Sequence, residues 1–318
     1  MLFRRAFTAS ALCALAFDAS ASCGASFCVV NTDWITQGAW TEPGLRFDLR
    51  YEYVDQDQPR HGTDRIPVGQ VPAHHDEVET RNRNFVAALD WNLSPAWSLS
   101  AIVPYVNRDH FHIHNHRGEK LDERWSLRGV GDAKVLGRYQ AFASADPAAP
   151  SSGGFTFGVK LPTGEHDQAN GAGAVAERSL QPGTGTTDVI AGAWLHGGAP
   201  LEGWTWFALV QGQWATSERD GYKPGEQVQV DGGLRWAFGA SAAFLLQANY
   251  LHKGRDSGAE AEPADSGQQS FFVSPGVSWN LGRDAQLYAF VQVPLWQKVN
   301  GVQLTADWSA LAGVSWRF

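Results

Sequence analysis

The chain has 318 residues, 43% of them hydrophobic, with a formal net charge of -8 and a mean hydropathy of -0.28. Nowhere does it offer the ~20 consecutive apolar residues that a membrane helix needs, and its acidic balance argues against a nucleic-acid partner. Fourteen Trp and 34 Gly are more than a soluble β-sandwich is expected to use. They fit a membrane barrel, where only alternate residues face lipid, Trp gathers at the interfaces and Gly eases turns and curvature.

Residues 1–21 read as a signal peptide. Arg4 and Arg5 precede the apolar run Ala11 to Phe17, and Ala19-Ser20-Ala21 offers a small-residue cleavage site. Cleavage there removes Cys13 and leaves Cys23 and Cys28. In an oxidising compartment that pair reads as a disulfide. The alternative is a thiolate metal pair, although Cys-x4-Cys is looser than the usual zinc spacing and no His adjoins it. Residues 22–43 then form a periplasmic segment or a short plug.

From residue 44 to 318 alternation of apolar and polar residues predicts twelve strands, at about 44–54, 82–93, 97–108, 127–142, 153–161 and 185–198, then 203–216, 226–238, 241–252, 269–280, 285–297 and 303–318. The connections alternate short (94–96, near 201, 239–240, 282–284) and long (55–81, 108–126, 162–184, 217–225, 253–268), with 143–152 a longer exception on the short side. The fold class expected is all-β: an antiparallel up-and-down transmembrane barrel, with short periplasmic turns and long extracellular loops. The long loops carry 19 Asp/Glu against 12 Lys/Arg, an acidic mouth that would favour cations modestly.

Parity assigns the faces. Leu45, Phe47, Leu49, Tyr51 and Tyr53 point to lipid, and Arg46, Asp48 and Arg50 point inward. Asp132, Lys134 and Arg138 share the inner face of the fourth strand, as Asp231 and Arg235 do that of the eighth. Trp194, Leu245, Phe290 and Trp296 are read as apolar inner positions, giving a mixed lumen. The last strand, Thr305 to Phe318, alternates to its end, and a chain ending on an aromatic in such a strand resembles the closing strand of bacterial outer-membrane barrels. That resemblance implies the bacterial outer membrane as location, with outer-membrane lipid and the barrel-insertion machinery, which reads Phe318, as partners.

A second resemblance rests on Gly129-Val-Gly-Asp132 leading to Gly137-Arg-Tyr139, Gly158-Val-Lys-Leu-Pro-Thr-Gly164, Leu180-Gln-Pro-Gly-Thr-Gly-Thr-Thr-Asp188 and the aromatic C-terminus. Together they resemble a family of outer-membrane proteins named for the meta-pathway of phenol degradation. The resemblance implies a lipid-embedded barrel and passage of small molecules, and fixes no catalytic residue. Read physically, the blocks are architectural: Gly permits sharp turns and Pro162 cannot donate to a sheet. Loop 162–184 is long enough to fold into the mouth, or to remain an external loop.

The most pointed chemistry is Asp109-His-Phe-His-Ile-His-Asn-His116. Parity puts His110, His112, His114 and His116 on the inner face. Same-face neighbours in a strand lie ~6.6–7 Å apart, too far for all four to hold one ion, but two could do so with help from a neighbouring segment. His74-His75-Asp76-Glu77 is the natural partner. Imidazole with carboxylate suits Zn(II), Cu(II) or Ni(II), whereas Cu(I) would want thioethers and the only Met is Met1. The plain alternative is a solvated polar edge above the membrane.

The functional expectation is a channel or facilitator for small solutes, apolar or aromatic ones included. A metal-binding or metal-uptake protein is the second reading, with Zn(II) or Cu(II) as the ion, and a structural or adhesive barrel the third. An enzyme is not expected: no Gly-x-Ser-x-Gly occurs, and no His sits beside a plausible Ser at a strand end.

Overall fold

A computed structural model describes residues 27–70, 76–116, 119–144, 146, 148–239 and 241–318. Among the described residues fourteen strands follow one another: β1 (Gly44–His61), β2 (Asp64–Arg65), β3 (Asp76–Asn92), β4 (Trp97–His116), β5 (Glu119–Val130), β6 (Lys134–Ala143) and β7 (Ser151–Lys160), then β8 (Asp188–Ala199), β9 (Trp204–Ala215), β10 (Gln227–Phe238), β11 (Ala242–Lys253), β12 (Gln268–Leu281), β13 (Ala285–Val299) and β14 (Val302–Arg317). All pairings are antiparallel, and β14 closes on β1 from Arg46 opposite Arg317 to His61 opposite Val302. Closure satisfies every strand edge within the wall, which is what lets a sheet sit in lipid. Twelve staves make the wall, because β2 is a two-residue flap on β1 and β5 and β6 share one stave: β4 pairs with β5 above Tyr105 and with β6 below Ile102.

The alternation works as physics requires. Outward Leu45, Phe47, Leu49, Phe85, Leu89 and Val103 are exposed, whereas the inward Arg46, Asp48, Glu52, Asp90 and Asn249 are buried. Trp91, Trp97, Trp204, Trp236, Trp279 and Trp316 stand exposed around the periplasmic end, an aromatic girdle at the lipid interface. A closed barrel with this apolar belt is a bacterial outer-membrane protein.

Three features differ from the pattern read off the sequence. Much of 55–81 and 108–126, expected as loop, is strand: β1 runs on to His61, β3 begins at Asp76, and β4 and β5 continue to and from the region of His116. Outward residues there become charged, with Arg83 bound to Asp109 at 2.8 Å and Arg81 to Asp55 at 3.4 Å. Backbone pairing persists above the lipid because it needs no apolar face. Second, Trp296 faces out. Phe271 pairs with Trp296 but Phe272 with Pro294, so Leu295 is an extra residue that reverses the parity of the end of β13. Third, a similar bulge lies in β3, where Glu77 pairs with His112 and Glu79 with Phe111, leaving Val78 as the extra residue.

The interior is filled from below by residues 27–40. Val30 and Trp34 are buried against Leu245, Tyr288, Phe290 and Leu311, inner residues of β11, β13 and β14. Trp34 meets the Tyr288 ring edge-on at 5.0 Å. The Asp33 carboxylate accepts from the Ile35 and Thr36 amides at 3.1 Å, fixing a turn. Asn31 exchanges backbone bonds of 2.9 Å with the Gln247 side chain, and Arg138 donates to the Ile35 carbonyl at 3.0 Å. Inward polar side chains of the wall thus satisfy the backbone of the inserted segment, which has no sheet partner of its own.

Candidate functional site

Above the inserted segment the lumen holds a cavity of about 410 Å³. Its floor is Cys28 to Asp33. Its walls carry Arg46, Asp48, Arg50, Glu52, Asp90, Asp132, Lys134, Lys160 and Asp231, with Val86, Ile102, Leu136, Leu209 and Leu251 as apolar patches, and Arg178, Gln181 and Thr184 roof it. Most of the charges are paired: Arg46 to Asp90 at 3.0 Å, Arg50 to Glu52 at 2.8 Å, and Lys160 to Asp132 at 2.8 Å and Asp188 at 3.2 Å. Asp48 accepts from the Tyr288 hydroxyl at 2.8 Å, and Asp231 from Asn249 at 2.8 Å. The Lys134 ammonium makes no hydrogen bond or ion pair with any described residue, and the residue lines the cavity. Arg235 lies outside this cavity, in a smaller one of about 250 Å³ beneath Trp34, and Arg138 stacks its guanidinium 3.7 Å over the Trp194 ring.

The roof belongs to the loop between β7 and β8, which folds inward. Leu180 is buried with Ala176 against Trp125, Leu127 and Leu304, and Arg108 donates to the Leu180 carbonyl. The three sequence blocks around 129–132, 158–164 and 180–188 meet at one residue. Asp132 accepts from the amides of Gly164 at 3.1 Å and Thr184 at 2.9 Å and binds Lys160. Gly164 and Gly183 pack backbone to backbone, so a Cβ at Gly164 would stand 2.7 Å from the Cα of Gly183. Asp132 therefore ties the inward loop to the wall.

A second cluster lies at the extracellular end, above the apolar belt. His110 Nε2 and His112 Nδ1 are 3.2 Å apart, and the Glu77 carboxylate faces both, at 3.6 and 3.8 Å. His110 Nδ1 meets the Thr80 hydroxyl at 2.8 Å and His112 Nε2 the Glu123 carboxylate at 2.9 Å. Trp125 lies 4.8 Å from the His112 ring and 5.7 Å from that of His110. Burial pushes the Glu77 carboxyl up, and the Glu262 and Asp265 charges add to this. Burial likewise pushes His112 down, against the pull of Glu123. Glu177, on the inward loop, is also pushed up, by burial and by the charges of Glu262, Glu77 and Asp265.

Of the expected metal-ligating residues, the structure brings His110 and His112 together. His114 stands farther out, its Nδ1 3.7 Å from Glu123. His116 ends β4. His74 and His75 lie outside the described residues. Asp76 is not in the cluster: the bulge at Val78 turns Glu77 to the inner face in its place, and Asp76 pairs with Lys120 at 3.5 Å. Glu177 and Glu123 carry no marker in the sequence, since only the fold brings them near. Cys28 Sγ lies 3.7 Å from the Ala310 carbonyl; Cys23, its expected partner, lies outside the described residues, as does the signal peptide. A Ser–His pair does occur, contrary to expectation: Ser152 Oγ is 2.8 Å from His196 Nε2. His196 Nδ1 meets the Thr36 carbonyl at 3.3 Å, its ring stacks on Trp194, and neither residue of the pair lines the lumen cavity. The pair anchors the inserted segment.

Among solved structures, an outer membrane channel from Pseudomonas putida F1 superimposes with a TM-score of 0.68 at 12% identity, over 91% of this chain and all (100%) of that one. The NanC porin (TM-score 0.45, 11% identity, 86% of this chain and 100% of that one) is a more distant likeness. So is the translocator domain of the autotransporter NalP from Neisseria meningitidis (0.42, 12%, 86% and 88%). No curated protein matches the chain. A family model matches residues 97–307, which span all three blocks that meet at Asp132. The chain belongs to the MetA-pathway of phenol degradation family.

Proposed function

We propose that the barrel is a selective channel for small solutes. The observation that carries this reading is the cavity of about 410 Å³ in the lumen, between residues 27–33 and the inward loop. A site of that size suits a molecule of one ring rather than an oligomer. Its walls combine apolar patches with Lys134, whose ammonium has no counter-charge within ion-pair distance among the described residues. The solute class we infer is a small apolar or aromatic body bearing an anionic group.

Swelling of liposomes containing the purified protein tests this. Small aromatic carboxylates should enter several times faster than neutral sugars of similar mass, and Lys134→Gln should remove most of that preference. Equal rates for all solutes, or no swelling with any, would refute the reading.

A further inference from the structure

We propose that Glu77, His110 and His112 form a buried site for a divalent zinc-class ion at the extracellular end of the barrel. The first support is geometric. Ligand atoms on a tetrahedral zinc, at ~2.0–2.1 Å from the metal, stand about 3.3 Å from one another. His110 Nε2, His112 Nδ1 and the two Glu77 oxygens are 3.2, 3.6 and 3.8 Å apart, close to that spacing.

The second support is the outer contacts. A metal-bound imidazole characteristically gives its other N–H to a carboxylate or another acceptor, which fixes the ring and its tautomer. Here His110 Nδ1 has the Thr80 hydroxyl and His112 Nε2 the Glu123 carboxylate, at 2.8 and 2.9 Å. The other nitrogen of each ring, His110 Nε2 and His112 Nδ1, faces Glu77.

The third is burial: the Glu77 and His110 side chains are 0% exposed and that of His112 3%, and a carboxylate buried so deeply is costly unless a cation or a proton compensates it. Two imidazoles in the donor set favour zinc-class ions over calcium or magnesium, which prefer oxygen. The bulge at Val78 is what makes the site, because it turns Glu77 to the inner face beside His110 and His112.

This inference is independent of solute passage and is tested without measuring it. Protein purified from outer membranes, stripped with a chelator and dialysed, would be titrated with ZnCl2 by calorimetry, with bound metal counted by mass spectrometry. One zinc per chain is expected. His110→Ala should weaken binding at least ~100-fold, and the outer-contact variant Glu123→Gln by about 10–100-fold. Glu123 is partly exposed, so this variant keeps the test open if the His110 variant fails to fold. His114→Ala should leave binding within about threefold. Absence of zinc binding, unchanged affinity in both His110→Ala and Glu123→Gln, or a loss in His114→Ala as large as that in His110→Ala would overturn the proposal.

Discussion

At the scale of the residue, two side chains carry much of the arrangement. Trp34 is 1% exposed and packs on inner residues of three strands. Truncating a buried Trp costs about 3–5 kcal/mol. That loss falls on the inserted segment, because the wall of the barrel has its own closed ladder of hydrogen bonds. Trp34→Ala should therefore leave the barrel folded while raising its single-channel conductance. An unchanged conductance would mean that the segment keeps its place without this anchor. Asp132 holds the other end. Removing one partner of a buried ion pair costs roughly 3–5 kcal/mol, and Lys160 retains Asp188 at 3.2 Å, so the expected cost of Asp132→Asn lies at the lower end. Faster amide hydrogen exchange at Gly164 and Thr184 in that variant would report the loosened roof. Unaltered exchange would show that Asp132 is not the tie.

Strands were the legible elements, and their interruptions were not. Alternation identifies the twelve staves because one face meets lipid and the other a polar lumen, so a period of two is enforced along the whole wall. It places Arg46, Asp48, Arg50, Asp132 and Asp231 on the inner face, where they are buried or half-buried. It misplaces Trp296 because a single extra residue, Leu295, reverses parity without leaving a sequence mark, and, with 55–81 read as loop, it cannot show that the bulge at Val78 brings Glu77 rather than Asp76 to the inner face. It also stops strands where apolar residues stop, although β1, β3, β4 and β5 continue as charged ribbons above the lipid. The meeting of Gly131, Gly164 and Gly183 around Asp132 joins three blocks far apart in the chain, and spacing alone does not show which glycines touch. The inserted segment makes its own prediction. Removing residues 27–40 deletes the floor of the cavity and no part of the wall. The variant should fold, with the heat-dependent gel migration of a barrel, and swell liposomes faster than wild type.

For the whole molecule, the seam between β1 and β14 decides whether a closed wall exists. It runs from Arg46 opposite Arg317 to His61 opposite Val302, and the Phe318 amide donates to the Leu45 carbonyl at 2.9 Å. Deleting Phe318 removes that last bond and the terminal aromatic together. The expected result is less assembled barrel in the outer membrane, read as loss of the heat-modifiable band, with no change in conductance of the molecules that do assemble. A normal yield would separate this chain from the closing-strand resemblance of its C-terminus.

The lumen is a narrow path, interrupted from below by residues 27–40 and from above by the inward loop. Single-channel recording in planar bilayers, wild type beside the 27–40 deletion, tests that most directly. Small discrete conductance steps are predicted for wild type and several-fold larger ones for the deletion. A deletion variant as silent as the bare bilayer would contradict the account.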